Sequence, residues 1–279
     1  MEKILYFDFA AVLLLLMLLI TTIARGLTKG RVNKIFVELV LLSVITAVSD
    51  IFAVWLDRLG AGNLELKYVA HICYLLFHNA MTPAYMLFLL ILSDSDHKMK
   101  GIMRLVFSVP FLIVLVALLT NPLHNQVFYF NEQDAYTRGN LFWLLYVCAI
   151  SYSLFGVYNV FRYRKLYGNA KFMALFGMFP ILLGAMIVQM LWPHMLCEMF
   201  ANAVGLLLVS MMGQRPEEIL DIDSGLGKEG AYIDAMRRSM RNRKSRAVVM
   251  INLINFESLR DMLGYMEMKP LIFFGYFSP

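Results

Sequence analysis

Seven stretches of this chain are each apolar for about 20 residues, the length a helix needs to cross the hydrocarbon core of a bilayer. They cover residues 5–24, 35–56, 68–92, 105–120, 141–161, 172–192 and 195–212, the fourth being the shortest. Inside lipid no water satisfies a backbone N–H or C=O, so each such stretch is confined to a helix. Composition agrees. Of 279 residues 60% are hydrophobic and only 16% charged, against about 25% charged in water-soluble domains, and the mean hydropathy is +0.65. A cleaved signal peptide is the rival reading of the first stretch. It is too long for a signal core, lacks a small-x-small cleavage site, and is followed rather than preceded by positive charge.

The cations orient the array. Arg25, Lys29, Arg31 and Lys34 fill the first connection, Lys98, Lys100 and Arg104 the third, and Arg162, Arg164, Lys165 and Lys171 the fifth. The second has Arg58 and Lys67, the fourth only Arg138, and the sixth none. Positive charge stays cytoplasmic, which predicts an N-terminus outside and a C-terminal part inside an inner (plasma) membrane crossed many times. The net charge of +5 is explained by this topology, and nucleic acid is not an expected partner. Cys73, Cys148 and Cys197 lie in apolar segments with no metal or disulfide spacing, so they read as small core residues, with no metal and no cofactor expected.

Ten polar residues interrupt the spans: Asp8, Glu38, Asp50, His71, His78, Asn79, Asn159, Gln189, Glu198 and Asn202. A carboxylate in lipid costs roughly 2.5–3.5 kcal/mol even on insertion scales, so each of these groups is expected to face protein or water. With the topology above, Asp50, His71, Gln189 and Glu198 fall in the outer half. Glu198 and Asn202 are four apart and share a helix face, as His71 and His78 do at seven. One reading is an outward-facing pocket, with Asp50, His71, Gln189, Glu198 and Asn202 receiving a small ligand or a proton at the outer face. The other is interhelical hydrogen bonding that holds the bundle together. His78, Asn79 and Pro83 also fit a kinked third helix.

The character of the chain changes at residues 211–226, MMGQRPEEILDIDSGL. An apolar helix ends at Gly213, Gln214-Arg215-Pro216 breaks it, and Asp221-Ile222-Asp223-Ser224-Gly225-Leu226 is a capped turn before an amphipathic helix. This turn resembles the opening Asp-x-Leu-Thr-Gly-Leu of GGDEF, or diguanylate-cyclase-like, domains. Asp221, Gly225 and Leu226 match, Ser224 stands for Thr, and Asp223 departs. Tyr232, Ile233, Met236 and Met240 recur at helical spacing, residues 247–253 read as a buried strand, and Phe256, Leu259 and Leu263 restart a helical stripe closed by Gly264. Working GGDEF domains carry Asp-x-Asp-x-Phe-Lys-x-x-Asn-Asp-x-x-Gly-His here. This chain has Asn252, Ile254, Phe256, Glu257, Arg260, Asp261, Gly264 and Tyr265. The resemblance implies that Asn252 stands where a carboxylate would hold Mg²⁺ and Arg260 where an Asn would read guanine, while Phe256, Asp261 and Gly264 keep the turn and its packing. No Gly-Gly-Asp/Glu-Glu-Phe run follows before Pro279, so the expectation is a degenerate, truncated fragment that is not an enzyme.

The long fourth connection carries a second resemblance. Thr120-Asn121-Pro122-Leu123-His124, then Phe128-Tyr129, then Tyr136-x-Arg138-Gly139-x-Leu141-Phe142 look like the seven-helix sensor region N-terminal to many bacterial histidine kinases and some GGDEF proteins. Equally, Asn-Pro and Arg-Gly are ordinary turn formers.

The expected architecture is therefore an all-α polytopic membrane bundle followed by a short, incomplete α/β cytosolic fragment. Its parts are a seven-helix sensor at 1–213, a juxtamembrane linker at 214–228 that offers a route to a homodimer, and a GGDEF-like fragment at 229–279. The function this implies is membrane-embedded signal sensing linked to a non-catalytic remnant. The rivals are a small seven-helix transporter or channel, which would ordinarily show internal repeats that are not seen here, and a truncated product of a longer cyclic-di-GMP signalling gene. The run Arg237, Arg238, Arg241, Arg243, Lys244, Arg246 reads as a solvated face, with docking on anionic lipid as its alternative. Residues 271–277 form an uncharged apolar ending resembling an out-of-frame one.

Overall fold

A computed structural model describes residues 5–24, 31–59, 64–93, 95–96, 101–132, 134–192 and 194–213, together with the isolated helical positions Tyr232 and Met236. The chain divides into two compact units, residues 1–214 and 215–279. The linker at 214–228 and the expected GGDEF-like positions Asp221, Gly225, Leu226, Asn252, Phe256, Asp261 and Gly264 lie outside the described residues.

Among the described residues the first unit holds seven α-helices in chain order: α1 Tyr6–Ala24, α2 Arg31–Arg58, α3 Leu64–Leu92, α4 Ile102–His124, α5 Trp143–Arg162, α6 Asn169–Leu191 and α7 Glu198–Gly213. The first six are long and apolar enough to cross a membrane. At 16 residues α7 is shorter, about 24 Å at 1.5 Å per residue against a core of about 30 Å. The protein is thus a multi-pass membrane protein built as an all-α bundle. Exposed Leu13, Met17, Ile20, Val116, Leu119 and Leu154 are the apolar surface such a bundle turns toward lipid.

Neighbouring contacts run from α1 to α2, α2 to α3, α3 to α5, α5 to α6, α6 to α7 and α7 back to α1. Six helices therefore close a ring, and α4 leans on its outside against α3 and α5. That position explains why α4 is the least buried of the six long helices. Small residues bring helices close. A Cβ on Gly156 of α5 would stand 2.7 Å from the Phe179 ring of α6, and one on Gly205 of α7 would stand 2.9 Å from Met178 Cγ. At mid-bundle Asn202 Nδ2 donates to Ser43 Oγ at 2.9 Å, and Ser43 Oγ donates to the Leu39 carbonyl, so α7 is tied to α2 beside Met81.

Several boundaries differ from the sequence reading, α2 and α3 each starting four residues before their apolar runs, and two of them change the order of helix lengths. The fourth helix is not the shortest: it runs four residues beyond Thr120, through Asn121-Pro122-Leu123-His124, and α7 takes that place by starting at Glu198 rather than Met195. Proline at 122 removes one hydrogen bond near a helix end, which the end tolerates, and Asn125 closes the helix in the left-handed conformation with its N–H on the Asn121 carbonyl. Pro83 does not end α3 either. The Asn79 carbonyl that an amide at position 83 would have engaged accepts the Thr82 hydroxyl at 3.1 Å.

The fourth connection is not an irregular loop. Strands β1 Phe128–Phe130 and β2 Tyr136–Arg138 pair antiparallel, with Phe128 opposite Arg138 and Phe130 opposite Tyr136. Aromatic and β-branched side chains suit a pleated ribbon. Between the strands the Asn131 side chain accepts the Ala135 N–H, and Asp134 stands at φ 56°. Two short strands are marginal on their own. Their support comes from Asn121, whose Oδ1 accepts the N–H groups of Val127 and Phe128 while its Nδ2 donates to the Phe128 carbonyl.

Candidate functional site

The hairpin folds over the N-terminal turns of α3. Phe128 and Phe130 pack on the Tyr68 ring at 5.5 and 5.1 Å, Tyr136 stacks on His71 at 4.5 Å, and the Tyr68 hydroxyl donates to Asn125 Oδ1 at 2.7 Å. Beneath it lies a cavity of about 610 Å³, inside the range of small-molecule sites. The helix α3 supplies one wall as a stripe, His71, Tyr74, Leu75, His78, Asn79 and Thr82, spaced three and one as one face of a helix requires. Asp50 comes from α2, Tyr146 from α5, Gln189 from α6, Glu198 from α7, and Tyr136 and Arg138 from β2. These are alternate ends of successive helices, so the cavity sits at one end of the bundle.

The sequence reading named five pocket residues. Asp50, His71, Gln189 and Glu198 line this cavity, and Asn202 does not: it is a turn deeper, bonded to Ser43. Residues that reading left out of the pocket are Tyr74, His78, Tyr136, Arg138, Tyr146 and His194. A signal for His78 existed, since it lies on the same stripe as His71. No sequence signal could place Tyr136, Arg138 or His194, because their positions depend on how the connections fold.

The polar groups form a connected set. His71 Nε2 meets Asp57 Oδ1 at 3.0 Å, and His78 Nε2 meets Glu198 Oε2 at 3.2 Å, tying α3 to α2 and to α7. Tyr74 lies within electrostatic reach of Asp50, Glu198 and Asp8. Asp8, in the first turn of α1, is fully buried, and neither of its oxygens has a hydrogen-bond partner among the described residues. Two further buried atoms on the cavity wall have none: His78 Nδ1 and Gln189 Oε1. Burial pushes the Tyr136 phenol well above its ordinary value; Arg138 pulls the other way, and the carboxylates of Asp50 and Asp57 add to the rise. Tyr136 is thus a neutral phenol throughout the physiological range. The Arg138 guanidinium stands 4.7 Å over the Phe142 ring.

No family model, curated protein or solved structure matches the chain. The resemblances to seven-helix sensor regions and to GGDEF domains therefore rest on the residues quoted above. Among the described residues no group of three or more His, Cys, Asp or Glu side chains could hold a metal ion. What the arrangement offers chemically is a water-sized to drug-sized chamber with an apolar floor (Leu75, Leu145, Met186) and charged or hydrogen-bonding groups from six separate elements.

Proposed function

We propose that this protein is a signal-input module of the bacterial inner membrane, with its N-terminus outside and its cavity open to the outer face. In this reading a small polar ligand or a proton enters beneath the hairpin and shifts the His78–Glu198 contact between α3 and α7. The helix α7 then carries the change through residues 214–228 to a GGDEF-like fragment. That fragment is non-catalytic because Asn252 and Arg260 replace the metal-holding and guanine-reading residues of the family it resembles; cyclic dinucleotide made from GTP by the purified chain would overturn this part.

The observation that supports the reading best is convergence. Charged and hydrogen-bonding groups are costly at membrane depth, yet six elements deliver them to one cavity rather than to scattered helix contacts. A helix-tying bond away from the cavity, Asn202–Ser43, is buried and paired. The cavity groups include buried atoms without partners.

The test is thermal stability of the purified protein against external pH, in wild type, Asp50→Asn and Glu198→Gln. If the cavity communicates with bulk water, each variant is expected to have a profile of different shape from wild type, because a carboxylate has been taken from its wall. Three identical profiles would mean that neither carboxylate is coupled to pH, and the cavity would revert to packing. Orientation is tested separately. A cytoplasm-active reporter fused after Met212 is expected to work and a periplasm-active one to be silent; the reverse would invert the topology.

A further inference from the structure

Resting on the reading of the cavity as a ligand site, we propose that it takes a small zwitterion, an ammonium and a carboxylate carried on an apolar body, which is the chemical class of the free amino acids. The cavity wall is polar in two opposed senses. From the helices come acceptors and negative charge: the carboxylates of Asp50 on α2 and Glu198 on α7, and the buried, partnerless Oε1 of Gln189 on α6. Behind Asp50 stands the buried Asp8, close enough to interact with it. From the hairpin comes Arg138 of β2, half-buried and the one arginine or lysine on the wall among the described residues.

Arg138 and Glu198 line the same cavity, yet no ion pair joins them; the arginine rests on the Phe142 ring and the glutamate on His78. Opposite charges facing one chamber without meeting are what a ligand bearing both charges would bridge. The carboxylate end would take the planar guanidinium fork of Arg138, and the ammonium end the acceptors of Glu198, Asp50 and Gln189. A purely anionic ligand would meet two wall carboxylates, and a purely cationic one would leave Arg138 facing it. Much of the rest of the wall is apolar and aromatic: Leu75, Leu145, Leu196, Met186 and the rings of Tyr74 and Tyr146. That surface suits a hydrophobic side chain rather than a bare glycine-like ligand.

Two imidazoles on the wall are already held by carboxylates, His71 by Asp57 and His78 by Glu198, so a ligand ammonium at Glu198 would have to take the place of His78. Tyr136 is a neutral phenol stacked on His71. His194, from the connection between α6 and α7, and the phenols of Tyr74 and Tyr146 complete the titratable set.

The experiment is equilibrium binding to the purified full chain in nanodiscs at neutral pH, using the twenty standard amino acids and, for each apolar or aromatic one, its decarboxylated amine and its deaminated carboxylate. The expected result is binding of at least one apolar or aromatic amino acid, with both singly charged analogues at least about tenfold weaker. Arg138→Gln is expected to bring the amino acid down to the level of its amine, and Glu198→Gln to that of its carboxylate, while Glu132→Gln in the exposed hairpin turn changes nothing. Because the analogues are compared on wild type, a variant that fails to fold leaves the result intact. An amine or a carboxylate that binds as well as the amino acid would overturn the zwitterion and leave the ligand site standing. No binding by any member of the panel would overturn the zwitterion too. If that came with three identical pH profiles for wild type, Asp50→Asn and Glu198→Gln, the ligand site would fall with it.

Discussion

Replacing Gly139 with alanine is expected to cost about 3 kcal/mol or more, lowering the thermal midpoint by roughly 6–12 °C if the scaling of soluble domains holds. The cause is contact rather than torsion, since Gly139 is not among the positive-φ residues. A Cβ there would lie 2.2 Å from the Gln126 carbonyl oxygen and 2.6 Å from its carbon, with the Val127 carbonyl carbon at 3.0 Å. All three are backbone, so no side chain can swing aside. Nor can the segment yield cheaply, because the Gly139 N–H donates to the Val127 carbonyl and the Leu141 N–H to that of Gln126. Separating these strands would pull Phe128 and Tyr136 off Tyr68 and His71, which uncovers the cavity. The matched control is Gly184→Ala in the interior of α6, where an added Cβ meets nothing within 4 Å and a midpoint no lower than wild type is expected. A Gly139→Ala midpoint within a degree or two of wild type would mean the hairpin is not held as described.

That hairpin marks where the sequence stopped being informative. The helices were legible because an apolar run of span length has one solution in lipid, and α1, α2, α3, α5 and α6 follow their runs closely. The end of α4 was not, because Asn121-Pro122 is also a turn signal; membrane burial carried the helix through it, and the freed Asn121 side chain became the anchor of β1. Strands of three residues give too short a pattern to read, and these depend on bonds to α4 and on rings of α3. The cavity was partly legible for a physical reason: polar groups in lipid are costly, so four of them at one depth on four helices invite a common site. Asn202 shows the limit of helix-face reasoning. Four residues past Glu198 it keeps nearly the same direction but sits about 6 Å deeper, enough to leave the cavity and reach Ser43.

The second large effect is expected at His78 and Glu198, taken as a double-mutant cycle with leucine at either or both positions. The pair joins α3 to α7 at 3.2 Å, with side chains 27% and 16% exposed, so it is mostly but not wholly out of water. Glu198→Leu leaves an imidazole whose Nε2 loses its partner and whose Nδ1 already has none. His78→Leu leaves the Glu198 carboxylate without its partner on a wall that also carries Asp50. Fully buried pairs lose about 3–5 kcal/mol when one partner is removed; with this much exposure about 2–3 kcal/mol is expected for each single change. Leucine at both positions removes the stranded charge together with the contact, so the double variant should cost less than the sum, by a coupling of about 1–2 kcal/mol. Denaturant or thermal unfolding of the four proteins in one detergent gives the cycle directly. A coupling near zero would make the contact incidental and would remove the link by which an occupied cavity could move α7. A clear coupling would make this pair, among the described residues, the one ionic tie on the cavity wall between the stripe of α3 and the last helix of the bundle. A ligand ammonium drawn to Glu198 competes with His78 for the same carboxylate. In the proposed reading the energy of that exchange is what α7 has available to signal with, because a ligand shifts a two-state contact only by its differential affinity for the two states.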